Sequence, residues 1–507
     1  MRQKGLAPDP TKMNPYWVLG VAFVVVIFSI LTDYRTNHFV IVSATYYRSS
    51  PIYKPNTVMI LLNGPDQFIF DHAVFCISEN DNPAEKKYSP AMFRYAYDPV
   101  GICKWTAYIA ECKVLEGFKR LSMTHIGSRN SKVEIPYREP YRPKPNYEVE
   151  VANCFSPFFY NEHWQLVLTS LEVYRHFGSQ LQVYYVQSML ESITNVLRKY
   201  QELGFVELEP WALFKFSEEA MEKIGFDPNL ELDWRNQASA HTDCFLKYRD
   251  AAKFIIFGDV DDVLVPRLGS SYMDEFRFLS LTYPKAAGFT YNRYNTELQS
   301  NGRLERFSLA HSIGDARVAN EWEDGKYVVN TSRVETAWLH YPGIYDKKNF
   351  AMYTIPAEHN IMVHLRNWTI SRQAASESAD VTTAWPPRAN LYKTQISELI
   401  NPQAIESIEA EFRKMLTAHY EVFRQLPNKN YYLPMIIACY DRIFYSRARH
   451  PDSCPGPLKC KIPAIENLRC TVAVRRHVSS PINWRTTFYV PPKEGEFLLS
   501  ENGCYLG

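Results

Sequence analysis

The hydrophobic pattern changes character three times along the 507-residue chain. It opens with an unbroken apolar run, Trp17 to Leu31, that Tyr16 and Thr32 extend to an uncharged stretch of about 17 residues, at the short end for a membrane-spanning helix. Arg2, Lys4 and Lys12 precede the run against a single Asp9, and that asymmetry keeps the N-terminus cytosolic. No small-residue cleavage site closely follows Leu31, which argues against a removed signal peptide. The expectation is a cytosolic tail over 1–15, a transmembrane signal anchor over 16–32, and the rest of the chain in the lumen. A short span suits a thin secretory-pathway membrane such as the Golgi.

The second pattern is one of short β-branched and aromatic runs, 38–47, 56–64 and 72–78, cut by Pro, Asn, Asp and Gly. They predict a small β-rich module over 36–146. Its end, 127–147, is basic and carries Pro136, Pro140, Pro143 and Pro145, a linker composition. From Tyr147 the third pattern sets in, alternating strands with amphipathic helices. Strands are predicted at 147–154, 181–187, 205–211 and 253–257, and helices at 161–178, 188–204 and 234–250. Gly178 and Gly204 close the first two helices. Such alternation makes βαβ units and an α/β domain, here 147–370, with a mainly parallel sheet flanked by helices. Further strands are predicted at 286–294 and 325–330. A long helix over 402–425 opens a helical, Cys-rich C-terminal region, 371–507.

Composition narrows the class. With 46% hydrophobic residues, 22% charged and a net charge of +1, no global field points to nucleic acid. All 10 cysteines follow the apolar run, an even number on the proposed luminal side, which suits disulfides. Cys454 and Cys460 lie near His450, but no C-x-x-C repeat supports zinc there. The sequons at Asn330 and Asn367 are compatible with luminal exposure.

The chemistry concentrates where the run Phe254 to Phe257 ends and Gly258-Asp259-Val260-Asp261-Asp262 begins. Ligands of parallel α/β sheets bind outside the carboxyl ends of the strands. Two chemistries claim three carboxylates there. As D-x-D-x-V-L, the stretch fits a haloacid-dehalogenase-type phosphatase, with Asp259 as nucleophile and Asp261 as acid/base. That chemistry needs the motif near the start of its domain, whereas three β/α units precede it here. The alternative is a divalent cation held by Asp-x-Asp against the diphosphate of a nucleotide-sugar. Three preceding units and a membrane anchor favour this reading, a GT-A type glycosyltransferase.

The segment 147–366 resembles glycosyltransferase family 92. The resemblance rests on Cys154-Phe155-Ser156-Pro157, the Tyr184-Tyr185 strand, Arg235-Asn236-Gln237 with Asp243-Cys244, the Asp259–Asp262 motif, Lys326, His340 and His364-Leu365-Arg366. With the Ala44-Tyr46-Tyr47 strand it covers roughly 40 to 370. The family usually carries Glu where Asp262 stands and Tyr where Leu365 stands. The resemblance implies a UDP-sugar donor (galactose in characterised members), Mn²⁺ or Mg²⁺, a glycan or glycoprotein acceptor, and inversion at the anomeric carbon. Asp259 is then the candidate for the ribose and the metal, Asp261 for the metal, and Asp262 for orienting the loop or the sugar. His364 is a candidate metal ligand, with His340 as the alternative. Arg235, Asn236 and Lys326 are candidate donor contacts, and Arg293 could balance diphosphate charge. Inversion needs a general base, for which Asp324 and Glu323 are the candidates, with Trp322 as a platform for an acceptor sugar. A non-catalytic glycan-binding relative remains the rival reading.

Overall fold

The computed structural model describes residues 37–66, 74–82, 84–99, 101–126, 131–143, 148–371, 381–382, 391–445 and 454–504. The expected tail (1–15) and signal anchor (16–32) lie outside the described residues. Among the described residues, no helix is long and apolar enough to cross a membrane.

The N-terminal β-rich segment builds two sheets. Strands β1 (Asn37–Tyr47) and β2 (Thr57–Pro65) pair antiparallel, and β2 also takes a strand at Trp105–Lys113. These runs are apolar on both faces because both faces are covered: nearly every residue of β1 and β2 is buried. A second sheet of four strands contains Val74–Glu79, and the Cys76–Cys112 disulfide ties it to the first. Part of the expected linker is ordered by packing. Lys132–Glu134 pairs with Arg120–His125. Arg138 donates its backbone N–H to Ala44 and its guanidinium to buried Asp243 at 2.6 Å. The basic, proline-rich composition was legible, but what Arg138 meets was not.

The larger sheet carries the site. Its first half is built from β3 (Val151–Phe158), α1 (Trp164–His176), β4 (Leu181–Val186), α2 (Glu191–Glu202), β5 (Val206–Pro210), α3 (Gln237–Tyr248) and β6 (Phe254–Gly258), with the parallel order β5-β4-β3-β6. The second half comprises β7 (Asp262–Leu264), β8 (Ala286–Asn301), β9 (Arg317–Asn330) and β10 (Met362–Ser371), continuing the order as β6-β9-β8-β10-β7. The mainly parallel sheet expected from the sequence is therefore mixed. β6 and β8 both run antiparallel to β9, and β7 runs antiparallel to β10. Parallel pairing needs a crossover, usually helical. Helical crossovers follow β3, β4 and β5, whereas β6 and β7 take their antiparallel neighbours, β9 and β10, from much later in the chain. β8 and β9 are also far longer than their predicted cores.

Strand β6 shows why the apolar run has no polar alternation. Phe254 and Ile256 enter one hydrophobic cluster, Ile255 and Phe257 the other on the opposite face. The C-terminal region does not stand apart. Thr486–Val490 adds to β1 in parallel, and Cys470–Val474 pairs with Ser188–Leu190 just before α2. The helix predicted over 402–425 is Pro402–Ala418 followed by a short turn, Tyr420–Phe423.

Candidate active site

The turn after β6 is closed by its own acidic residues. Asp262 donates its N–H to the Asp259 carbonyl at 3.0 Å, while its Oδ2 accepts the Asp259 N–H at 2.9 Å. The Asp261 carbonyl accepts the Leu365 N–H at 2.7 Å, and β7 pairs with β10 so that Asp262 lies opposite His364. Two residues remote in sequence, Asp261 and His364, thereby come face to face.

Each carboxylate has a distinct environment. Asp259 Oδ1 accepts from Gln237 Nε2 at 2.8 Å, and its Oδ2 lies 2.9 Å from Lys326 Nζ. Burial pushes its pKa up, but the Lys326 ammonium outweighs that and holds it well below the usual carboxylate range. Asp261 Oδ2 lies 3.2 Å from His364 Nε2. Burial opposes its ionisation, yet His364 keeps its pKa lowered. Asp262 has a fully buried side chain, with Arg293 Nη1 at 3.4 Å, and burial leaves its pKa raised.

Ligand-capable atoms of Asp261, Asp262 and His364 all lie within 4.8 Å of one another. Two carboxylates and an imidazole form a donor set that suits Mn²⁺ or Mg²⁺. Asp262 also serves the turn and Arg293, and only Asp261 and His364 of the three line the cavity. His364 is held in place from its other side. Its Nδ1 lies 2.8 Å from Asn295 Oδ1, and Asn295 Nδ2 donates to Glu323 Oε1 at 2.7 Å. That second bond orients the amide, so Nδ1 carries the proton and Nε2 presents a lone pair toward Asp261. When His364 is protonated it pairs with Asp261 instead. Burial lowers its pKa but Asp261 more than compensates, leaving it raised.

Glu323 sits behind His364 at the meeting of several donors. Arg293 Nη2 approaches at 3.2 Å, His364 Nδ1 at 3.6 Å and Arg366 Nη1 at 3.9 Å. Its pKa lies far below the usual carboxylate range, first through the His364 contact. Glu323 and Lys326 are three apart, so a regular strand would aim them at opposite faces. The ladder prevents this: Tyr291 pairs with Lys326 and Arg293 with Glu323, giving β9 one extra residue. The bulge turns both toward the site. It passes through Gly325, where a Cβ would lie 2.1 Å from the Tyr291 carbonyl oxygen. Only glycine fits there.

The remaining candidates are placed as follows. His340 donates Nδ1–H to the Gly325 carbonyl at 2.9 Å, and burial together with Lys326 lowers its pKa to about 4. It lines the cavity but stands outside the Asp261–Asp262–His364 group. Asp324 is exposed, as is Trp322 before it, and no ion pair or hydrogen bond engages Asp324 among the described residues. Asn236 is buried away from the carboxylates, where it exchanges amide hydrogen bonds with Asn63 at 2.8 and 3.0 Å. Its left-handed backbone, φ +58°, starts α3 so that Gln237 reaches Asp259. The Arg235 side chain lies outside the described residues. Asn295 carried no sequence signal, because its role exists only across paired strands. Likewise, His163 carried none. It packs edge-on against Trp368 at 4.9 Å between ring centroids, and burial lowers its pKa to about 4.

These groups open onto one cavity of about 390 Å³, lined by Asp259, Asp261, Lys326, His340 and His364 on its charged side. With Nε2 of His364 unprotonated, that imidazole, an ionised Asp and a Lys ammonium together can hold a cation and an anionic diphosphate.

Comparison with known proteins gives the same direction. The pattern of glycosyltransferase family 92 matches residues 149–416. Glycosyltransferase family 92 protein F59C6.8 of Caenorhabditis elegans is 31% identical over 490 residues, 94% of this chain and 91% of the relative. Protein F13G3.3 of the same family and organism is 30% identical over 386 residues, 75% of this chain and 73% of the relative. Among solved structures, the WbbM bifunctional glycosyltransferase aligns with 43% of this chain and 36% of its own, at 11% identity and a TM-score of 0.19. That likeness is too low to carry an argument.

Proposed function

The chain belongs to glycosyltransferase family 92, and we propose that it is a metal-dependent hexosyltransferase of GT-A type. The proposed reaction moves a hexose, galactose from UDP-galactose being the first donor to test, to a glycan acceptor with inversion. The observation that carries this reading is Asp261 facing His364 at 3.2 Å, on the cavity that Lys326 and Asp259 also line. A divalent cation held by Asp261 and His364 would supply Lewis-acid neutralisation of the leaving diphosphate. Lys326 adds a fixed positive charge beside it, and Gln237 keeps Asp259 oriented toward the donor.

We assign Glu323 to positioning. A carboxylate surrounded by Arg293, Arg366, Asn295 and His364 is a weak proton acceptor, because every partner favours its charged form. Asp324, exposed beside Trp322, remains available as the base for the acceptor hydroxyl. We further propose a type II membrane protein with its catalytic unit in the secretory-pathway lumen. The apolar run at 17–31 supports this, and so does the pairing of all ten cysteines in five disulfides, which suits an oxidising compartment.

The test is a secreted form starting at Asn37, screened against UDP-sugars with and without Mn²⁺. Transfer to a glycan that EDTA removes and Mn²⁺ restores supports the reading. Glycan binding with no turnover of any donor would replace it with the non-catalytic one.

A further inference from the structure

We propose that helix α4 (Leu433–Tyr440), beyond the stretch 149–416 that the family pattern matches, forms the subsite for the heterocyclic base of the nucleotide donor. The inference rests on the reading of the cavity as a nucleotide-sugar site. The helix is short and apolar, and Leu433, Ile436 and Tyr440, spaced on one face, line that cavity. They stand with Trp234 and Phe159: the Tyr440 ring is 6.3 Å from Phe159 at 15° and 6.1 Å from Trp234.

The cavity therefore has two unlike walls. The charged wall suits phosphates and a cation. The α4 wall is aliphatic and aromatic: Leu433, Ile436 and Phe159 present no side-chain hydrogen-bonding group, and Tyr440 and Trp234 carry one polar atom each. The hydroxyls of a sugar would outnumber those polar atoms, and each one left unpaired costs on the order of 1–3 kcal/mol. A flat heterocycle can lay a whole face on the aromatic part of this wall and gain stacking, with its polar edge turned away from it. Of the parts of a nucleotide-sugar, the base matches this wall best. Trp234 and Gln237 are three residues apart, and Gln237 holds Asp259, so the base wall adjoins the phosphate wall at that carboxylate.

The helix needs an anchor, and Glu162 provides it. This buried residue, on the connection from β3 to α1, accepts backbone N–H groups from Tyr431 at 2.6 Å, Tyr432 at 2.9 Å and Leu433 at 2.7 Å. A carboxylate at a helix N-terminus satisfies free donors and meets the positive end of the dipole. The Cys439–Cys460 disulfide fixes the other end. Glu162 is thus a positioning residue for a wall contributed by the far end of the chain.

Calorimetric titration of the secreted form with UDP and, separately, with inorganic pyrophosphate, both with Mn²⁺, tests this. Ile436→Trp, which fills the wall, and Leu433→Ala, which removes part of it, should each weaken UDP binding at least tenfold and leave pyrophosphate binding within twofold. Glu162→Gln should raise the KM for donor with little change in kcat, a split that general destabilisation would not produce. Should Ile436→Trp fail to fold, Leu433→Ala decides alone. UDP affinity unchanged in the folded variants, or UDP and pyrophosphate weakened equally, overturns the base subsite. A wild-type protein that binds neither probe overturns the nucleotide-sugar reading itself.

Discussion

Asp261 and His364 are each ordinary residues until β7 and β10 pair. Asp261→Asn or His364→Ala should lower Mn²⁺-dependent donor turnover by more than about 100-fold, since even outer partners of a ligand cost about 10–100-fold in metal affinity. Thermal unfolding of the metal-free variants should remain cooperative, and retained activity in either would remove the metal assignment. Glu323 and Asp324 separate by kinetics. If Glu323 serves to hold Asn295 and His364, Glu323→Gln should weaken Mn²⁺ affinity about 10–100-fold, with kcat recoverable at saturating metal. With Asp324 as the proposed base, Asp324→Asn should leave Mn²⁺ affinity unchanged and lower kcat about 10²–10⁴-fold. The reverse outcome would exchange their roles.

At the scale of elements, the β9 bulge and the junction between β1 and α3 do the positioning. Gly325→Val places a side chain against the Tyr291 carbonyl and should straighten or break the bulge, rotating Lys326 away from Asp259. Donor binding should then fall more than overall stability does. The junction is held by Asp243, which accepts from Arg138 and, at 2.6 Å, from the Tyr185 hydroxyl. Burial raises the Asp243 pKa, but Arg138 more than offsets it and the net shift is downward. A depressed carboxylate contributes stability that is present above its unfolded pKa near 3.8 and lost as pH falls through the folded value. Denaturant unfolding should show that acid loss in the wild type and a smaller one in Asp243→Asn, since the depressed carboxylates of the site still contribute theirs. Asp243→Ala should cost more stability than Asp243→Asn, because it leaves half-buried Arg138 without a side-chain acceptor.

Across the described molecule, segments far apart in sequence are joined. Cys103 in the N-terminal segment bonds Cys454, 351 residues away, and Thr486–Val490 completes the first sheet. Removing that disulfide by Cys103→Ser with Cys454→Ser should cost roughly 2–5 kcal/mol, read as a lower melting temperature of the secreted form. Truncation before Cys470 should abolish secretion. The two sequons differ as well: Asn330 is half-exposed at the end of β9, whereas Asn367 is 5% exposed within β10. Endoglycosidase treatment should therefore shift the folded protein by one glycan, and Asn330→Gln should remove the shift.

The division between what the sequence determined and what the tertiary structure decided follows from the range of the forces involved. Strand and helix periodicity, the glycine stops after Phe177 and Leu203, and the carboxylates at the end of Phe254–Phe257 are local, so composition and spacing carried them. Family resemblance carried His364 as well, through its neighbours rather than through any pattern that could be read from physics. The mixed sheet was not legible, because antiparallel pairing after β6 depends on what a strand meets and not on what it is. Asn295, the bulge that turns Glu323 and Lys326 the same way, and the α4 wall held by Glu162 share that property. Each is an ordinary residue or run whose role exists only once a partner tens or hundreds of positions away is set against it. Folding brought those partners together, and it also exposed Asp324 and enclosed Asn236, a contrast that two polar side chains do not carry in their own sequence.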